Sequence, residues 1–277
     1  MVTSTSSGLS VPDWPTTYGY SMFSFPLSDM VGGIFYEHGH RLIASTVGML
    51  TIGLVVFVWR VDPRRWMRRL ALTGLGLVIL QGVLGGLTVL YLLPAPISIG
   101  HAALAQLFFC LTISVALFTS AGWRRPATRP VADPALRKWA ATVTGAIYVQ
   151  ILIGATMRHL GAGLAIPDFP LAFGHLLPPA WPLPVAIHFT HRVGALVVLL
   201  LILAAVRHVW RHHRDHPELT RVATGLVFAV AAQITLGALV VLSRRQPVIN
   251  TLHVATGAVV LATSLVLTLR SYRLRFT

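Results

Sequence analysis

The chain has 277 residues, of which 55% are hydrophobic and only 11% are charged, and its formal net charge is +14. Because soluble domains carry about 25% charged residues, this composition excludes an ordinary soluble domain and indicates a chain that resides mostly in lipid. The positive charge does not indicate a nucleic-acid partner, since the basic residues form short runs between apolar spans, where topology signals lie. A single cysteine, Cys110, excludes an intrachain disulfide.

Seven apolar segments are long enough to cross a bilayer, which requires about 20 residues per helix. They cover residues 34–59, 69–92, 97–121, 138–157, 184–208, 221–242 and 249–270. Of the 22 Arg and Lys residues, 17 lie in loops on one side, which the positive-inside rule assigns to the cytoplasm. The outer side holds the other five: Arg41, Arg158, Arg192, Arg244 and Arg245.

Two of these outer arginines, Arg41 and Arg192, directly follow a histidine near the start of a helix. Charged groups that break the topology rule need a partner, and an anionic ligand is one candidate. Contact with lipid headgroups is the alternative. For Arg244 and Arg245 the sequence suggests only contact with the propionate groups of a ligand or with lipid headgroups.

The two halves of the chain repeat one another. The segment GLSVPDWP at 8–15 recurs as GLAIPDFP at 163–170, and YEHGHRLIAS at 36–45 matches IHFTHRVGAL at 187–196. Likewise QGVLGGLTVL at 81–90 matches QITLGALVVL at 233–242, and IGHAALAQ at 99–106 matches TLHVATGA at 251–258. Matched order and spacing indicate a duplicated unit with parallel repeats, related by an axis along the membrane normal. We therefore predict an all-α membrane protein of two tandem four-helix bundles, residues 1–122 and 123–277.

The repeat also predicts an asymmetry. The span 138–157 runs directly into the second copy of the loop, whereas only residues 1–7 precede the first copy. By symmetry we expect the first bundle to lack its first helix in this chain. A misassigned start site or a fragment is the favoured explanation, and a protein for which seven spans suffice is the alternative.

Four histidines lie one or two turns inside the outer ends of alternate spans, two in each half: His40, His101, His191 and His253. An ionisable side chain in lipid is costly and is a functional hypothesis by default. Two facing imidazoles are typical axial ligands of a haem iron, whereas the thiolates and carboxylates that zinc or copper would add are scarce here. Hydrogen-bonded structural histidines are the alternative. We expect the histidines after the fifth span to be solvated: His208, His212, His213 and His216.

The two halves differ beside these histidines. Glu37 lies three residues before His40 on one helical face, and its counterpart before His191 is His188. A desolvated carboxylate next to an iron ligand suits acid–base chemistry, although a salt bridge to Arg41 or a bond to the ring of His40 is the alternative. We predict a reactive site in the first half and a resident, non-reacting site in the second.

The aromatic residues of the repeated loop, Trp14 and Phe169, are candidates for lids over the two pockets. A purely structural turn explains the Pro-Asp-aromatic-Pro pattern equally well.

With STSSGLSVPDWP, EHGHR, the lone His101, HFTHR and NTLHVATG in this order, the sequence resembles the heme A synthase family over nearly its whole length. The resemblance implies eight membrane helices in two four-helix halves. It also implies the oxidation of a methyl group of heme O to the formyl group of heme A, for cytochrome oxidase. The members that the sequence resembles are those that lack a cysteine pair in an outer loop.

The resemblance assigns roles residue by residue. His40 and His101 would flank the substrate haem, with Glu37 as the essential carboxylate, and His191 and His253 would ligate a resident haem b. The implied location is the bacterial plasma membrane, with the haem sites toward the outer face. Heme O and an unidentified electron donor are the implied partners, together with heme O synthase and cytochrome oxidase assembly factors.

Other functions stay open at this point. A bis-histidine di-haem electron carrier of the cytochrome b class is the main alternative, although such carriers stack haems across the membrane and these four histidines lie near one face. A transporter built from repeats and a non-enzymatic haem-binding assembly partner are the others.

Overall fold

The protein is helical in a computed structural model that describes residues 2–125 and 131–273, and these two ranges contain no strand. The helices are α1 (Gly32–Val61), α2 (Arg65–Leu90), α3 (Ala95–Thr119), a short α4 (Ala121–Arg124), α5 (Pro134–His159), α6 (Leu183–His212), α7 (Pro217–Leu242) and α8 (Pro247–Ser271).

Seven of these helices, all except α4, are long and apolar enough to cross a membrane. The predicted all-α integral membrane fold is therefore confirmed, and the predicted ends of the spans differ from the helix ends by at most four residues. Arg129 and Arg275, two of the residues counted on the cytoplasmic side, lie outside the described ranges.

Helix starts in the second half follow from proline and capping chemistry. Proline occupies one of the first two positions of α5, α6, α7 and α8, where its missing N–H would have no helical partner. At α5 the carboxylate of Asp133 also accepts hydrogen bonds from the amides of Ala135 and Leu136, at 2.8 and 3.0 Å.

The chain divides into two units, Met1–Val115 and Ala116–Thr277, with the boundary inside α3. In the first unit α1 packs against α2. In the second unit α5 packs against α6 and α8, and α7 packs against the same two helices, so that the four form a closed bundle.

Both copies of the repeated loop have the same backbone. The peptide bonds Trp14–Pro15 and Phe169–Pro170 are cis. Beyond each, an aromatic residue and a glycine have positive φ, 50° and 79° at Tyr18 and Gly19, and nearly the same values recur in the second copy. Glycine adopts such angles at no steric cost, which fixes its place in the turn.

An aspartate holds each loop together. The oxygens of Asp13 accept hydrogen bonds from the amides of Tyr18 and Gly19 at 2.8 and 2.9 Å. Burial raises the pKa of Asp13, but the hydrogen bonds from Gly19, from the Thr16 hydroxyl and from Tyr18 outweigh it and lower the pKa from 3.8 to about 2. The pKa of Asp168 is lowered likewise, chiefly by the amide of Gly174. The repeated segment is thus a turn built around an ionised carboxylate.

Candidate functional site

Intramembrane histidines of the second unit lie against glycines of the neighbouring helix. A Cβ atom on Gly154 would lie 2.9 Å from Cε1 of His191, and one on Gly237 would lie 3.0 Å from Cε1 of His253. Carbon atoms rarely approach this closely, so only glycine admits these rings. The pairing of His191 with His253 stays a prediction.

A glutamine lies one helical turn before each of these glycines. The amide nitrogen of Gln150 donates to Nδ1 of His191 at 3.0 Å and to its backbone carbonyl at 2.7 Å. The amide nitrogen of Gln233 lies 3.5 Å from Nε2 of His253. His191 and His253 therefore each have their own glutamine–glycine pair on the preceding helix.

The first unit repeats this arrangement at His101. The amide nitrogen of Gln81 lies 3.3 Å from Nε2 of His101 and donates to its backbone carbonyl at 3.0 Å. A Cβ atom on Gly85 would lie 3.2 Å from Cε1 of the same ring. His40 lies on α1 of this unit with an exposed side chain. The pairing of His40 with His101 stays a prediction.

The surroundings of His253 select one tautomer. Its Nδ1 lies 3.2 Å from the backbone carbonyl oxygen of Gln233, which can only accept, so Nδ1 carries the proton. The lone pair of Nε2 is then available to a metal, which is the usual state of a histidine ligand. The side-chain oxygens of Gln81, Gln150 and Gln233 are buried and have no hydrogen-bond partner among the described residues. An amide can turn either its donor or its acceptor to a ring nitrogen, so these glutamines can serve either tautomer.

Buried side chains lie toward both ends of the second unit. Leu136, Ile202 and Leu226 are fully buried toward the helix ends opposite the repeated loop. On the loop side, Ile166, Ala172 and Val185 form a buried cluster. His191 and His253 are partly buried.

Arg41 and Glu37 connect α1 to the first copy of the loop. The guanidinium of Arg41 donates to the carbonyls of Val11, Asp13 and Thr16 at 2.7–2.9 Å and to Oε1 of Glu37 at 2.8 Å. Oε2 of Glu37 accepts the amide of Val11 at 2.9 Å. We call this set of bonds the loop clasp. Glu37 and Arg41 are both buried, so the clasp is shielded from solvent.

The second unit has the same clasp at equivalent residues. Arg192 donates to the carbonyls of Ile166, Asp168 and Leu171 at 2.7–3.2 Å. Nδ1 of His188 accepts the amide of Ile166 at 3.2 Å and so takes the place of the Glu37 carboxylate. Holding the loops is therefore the contact that the structure gives to both arginines, whereas their binding of an anionic ligand stays a prediction.

The two proposed lids have different surroundings. The indole of Trp14 packs on α2 at Gly86, where an added Cβ atom would clash with the ring, next to the Gly85 that faces His101. Phe169 is 39% exposed, and the guanidinium carbon of Arg192 lies 5.7 Å from the centre of its ring. Trp14 is thus brought close to the predicted site of its unit.

One expectation from the sequence is wrong. His212 is exposed as expected, but His216 is only 16% exposed and lies 3.1 Å from Glu218. His208 and His213 are not solvated either: their side chains are only 17% and 11% exposed, and both bond to Asp133. They meet because α6 ends at His212 and the backbone then leaves the helix, which turns His213 back toward His208.

Several functional candidates were missed by reading the sequence. The spacing Gln-x-x-x-Gly occurs at 81–85, 150–154 and 233–237, always on the helix before a histidine, and could have identified Gln81, Gln150 and Gln233. His38 was also missed. It is buried and shares a 3.0 Å hydrogen bond between Nδ1 and the hydroxyl of Thr17, which fixes the first loop rather than a ligand.

Together these features define a class: a multi-pass helical membrane protein whose paired units present histidines, positioned by glutamine and glycine, inside the membrane. The comparison with protein families gives the family itself. Residues 1–265 match the COX15-CtaA model, described as cytochrome oxidase assembly protein, and the chain belongs to this family.

Curated relatives are similar along most of the chain. The chain is 34% identical to the heme A synthase of Symbiobacterium thermophilum over 262 residues, which cover 91% of this chain and 82% of that protein. It is 26% identical to the heme A synthase of Halalkalibacterium halodurans, over 95% of this chain and 87% of that one. It is 32% identical to that of Caulobacter vibrioides, over 82% and 70%.

Proposed function

We propose that this protein is a heme A synthase, which oxidises a methyl group of heme O to the formyl group of heme A for cytochrome oxidase. The observation that carries the proposal is the recurrence of a histidine, a glutamine and a glycine at equivalent places in two units. The family and the printed names of the relatives agree with it. The protein acts in the bacterial plasma membrane, with its haem sites toward the outer face, where the few outer arginines lie.

His191 and His253 are the proposed ligands of a resident haem b, which would supply reversible one-electron chemistry. The residues present fit such a group. Nε2 of His253 offers a lone pair, since Nδ1 is committed to the carbonyl of Gln233. Gly154 and Gly237 let the rings approach the helix backbones closely, which leaves width in the bundle for a flat macrocycle.

His40 and His101 are the proposed ligands of the substrate haem in the first unit. Trp14, which packs beside the contact between Gly85 and His101, covers this site, and Phe169 covers its counterpart. The positive charges of Arg41 and Arg192 lie at the same level as the clasped loops and attract the propionates of a haem. An electron donor, heme O synthase and oxidase assembly factors are the expected partners.

Glu37 is the proposed acid–base residue. Its counterpart His188 accepts the same loop amide, so the loop can be held without a carboxylate. The carboxylate therefore gives the first unit a capacity that the second lacks: an oxygen near His40 that accepts a proton when the substrate methyl group is oxidised. Its bond to Arg41 fixes the position of the carboxylate.

The experiment exchanges the two side chains. In Glu37→His the new imidazole can accept the amide of Val11 as His188 accepts that of Ile166, while Arg41 keeps its three carbonyl partners. We expect the variant to fold and to retain resident haem b, but to make no heme A in cells that supply heme O. His188→Glu is the matched control and should remain active.

Two results would contradict the proposal. Full heme A production by Glu37→His would remove Glu37 from the chemistry. If the unaltered protein made no heme A and yielded haem b alone, it would instead be a bis-histidine electron carrier.

A further inference from the structure

Asp133, His208 and His213, whose side chains are of types that can ligate a metal, form a cluster in the second unit away from His191 and His253. Oδ2 of Asp133 is 2.7 Å from Nε2 of His208 and 2.8 Å from Nε2 of His213. The three ligand atoms all lie within 4.8 Å of one another. His208 follows His191 by 17 residues on α6, which separates the two sites by about 25 Å at 1.5 Å per residue.

The two oxygens of Asp133 have separate partners. Oδ1 caps the start of α5, where it accepts the amides of Ala135 and Leu136. The cap fixes the orientation of the carboxylate, so that Oδ2 points at both imidazoles. Because the carboxylate is already oriented, less side-chain entropy is lost when an ion binds.

The bonding pattern itself suits a cation. Because carboxylate oxygen only accepts, each imidazole must turn a protonated Nε2 toward the same Oδ2 when no ion is present. A divalent ion would take the place of the two Nε2 protons, with each neutral ring keeping its one proton on Nδ1, and would have the two Nε2 lone pairs and the oxygen as ligands. Two imidazoles and one carboxylate form a donor set used for zinc and neighbouring divalent transition metals.

The position of the cluster also favours binding from water. The three side chains are 11–19% exposed, so the cluster is partly shielded but not sealed from solvent. His208 and His213 lie at the carboxyl end of α6, where the helix dipole attracts positive charge.

We propose that Asp133, His208 and His213 bind one divalent transition-metal ion of the zinc class, which ties the start of α5 to the end of α6. The basic loops place this end of the bundle on the cytoplasmic side. The ion would brace the helix that carries His191 from the end opposite that histidine. The inference does not depend on the haem chemistry proposed above.

The test uses the full-length protein purified in detergent with its haem. After equilibrium dialysis against Zn²⁺, elemental analysis should give one zinc per chain above that of an Asp133→Asn variant. Asparagine is as good a helix cap as aspartate, so this variant keeps the start of α5 and loses only the charged ligand. Even outer-shell partners of metal ligands are worth about 10- to 100-fold in affinity, so the loss should be at least about tenfold. Unchanged haem content reports that the variant is folded.

His212→Ala is the matched control in the same histidine-rich segment. Its ring packs 4.6 Å from that of His208, measured between centroids, but the bonds to Asp133 come from His208 and His213. We expect His212→Ala to bind zinc as the unaltered protein does and His208→Ala to lose it. Zinc should also raise the unfolding temperature of the unaltered protein and not that of Asp133→Asn.

Three outcomes would overturn the proposal. One is the absence of bound zinc in the unaltered protein, which would leave the cluster as a hydrogen-bonded helix cap. Another is unchanged affinity in Asp133→Asn. The last is an equal loss in His212→Ala and His208→Ala, which would assign the zinc to surface histidines.

Discussion

The glycines beside the histidines of the second unit make a sharp prediction. In Gly154→Ala the new methyl group would lie 2.9 Å from Cε1 of His191, and in Gly237→Ala it would lie 3.0 Å from Cε1 of His253. Non-bonded carbons prefer 3.5–4.0 Å, so each ring must withdraw by about 0.5–1 Å or the helices must separate. Withdrawal of the His191 ring also stretches its 3.0 Å bond to Gln150.

The magnitude follows from the cost of overpacking. An extra methyl group in a filled interior costs about 1–3 kcal/mol. If this cost falls on the proposed haem-bound state, the affinity for resident haem b falls by about 5- to 150-fold, since 1.4 kcal/mol corresponds to a factor of ten. We therefore expect both variants to be purified with less haem b per chain and to lose it faster to a haem-scavenging protein.

Gly145→Ala is the control because it lies on the same helix as Gly154 and no atom lies within 4 Å of its added Cβ. It should keep its haem. The reasoning would be refuted if Gly154→Ala and Gly237→Ala both retained haem as Gly145→Ala does, since the rings would then not need their close approach to α5 and α7.

Three further predictions concern single groups. His253→Ala should be purified without resident haem b, and an unchanged haem b content would contradict the ligand assignment. The lowered pKa of Asp13 means that its carboxylate stabilises the folded loop fully above about pH 4 and that this stability is lost as the pH falls to about 2, so thermal unfolding in acid should show a dependence that Asp13→Asn lacks. A matching acid dependence in both proteins would assign it to other groups. In Thr144→Val the hydroxyl that bonds Ser264 at 2.7 Å and Thr268 at 2.8 Å is lost, and because such bonds average about 0.6 kcal/mol in membranes, we expect a destabilisation of about 1 kcal/mol with unchanged haem content. Loss of haem would show that this polar contact supports the site as well.

The spans were predictable because hydrophobic length alone identifies them, whereas their ends depend on finer chemistry. The span predicted from residue 138 begins at Pro134, since Asp133 caps the first turn and proline is well tolerated there. Hydropathy averaged along the sequence does not detect a helix cap. The polar first turn of a helix is therefore assigned to the preceding loop. The same limitation shortened α6, which continues to His212 through a basic segment.

Contacts between distant segments were harder to predict. His208 and His213 are five residues apart and do not share a helical face, so no sequence pattern pairs them with each other. Asp133 precedes His208 by 75 residues, and no local pattern links the two. The clasp at Arg41 is a different case. An outer arginine that breaks the topology rule indicated an anionic ligand, but backbone carbonyls of a folded turn can also satisfy a guanidinium, and sequence patterns do not reveal carbonyl directions.

The comparison of the two clasps separates what the fold requires from what chemistry requires. Both units need an acceptor for the loop amide and a guanidinium for the loop carbonyls, and an imidazole meets the first need at His188. A carboxylate at Glu37 adds a buried charge, whose desolvation is costly and is offset by its pair with Arg41. Because the second unit holds its loop without that charge, the loop alone does not account for Glu37. A role in the reaction is the explanation proposed here, and for this reason the exchange of Glu37 and His188 tests function more directly than the removal of either.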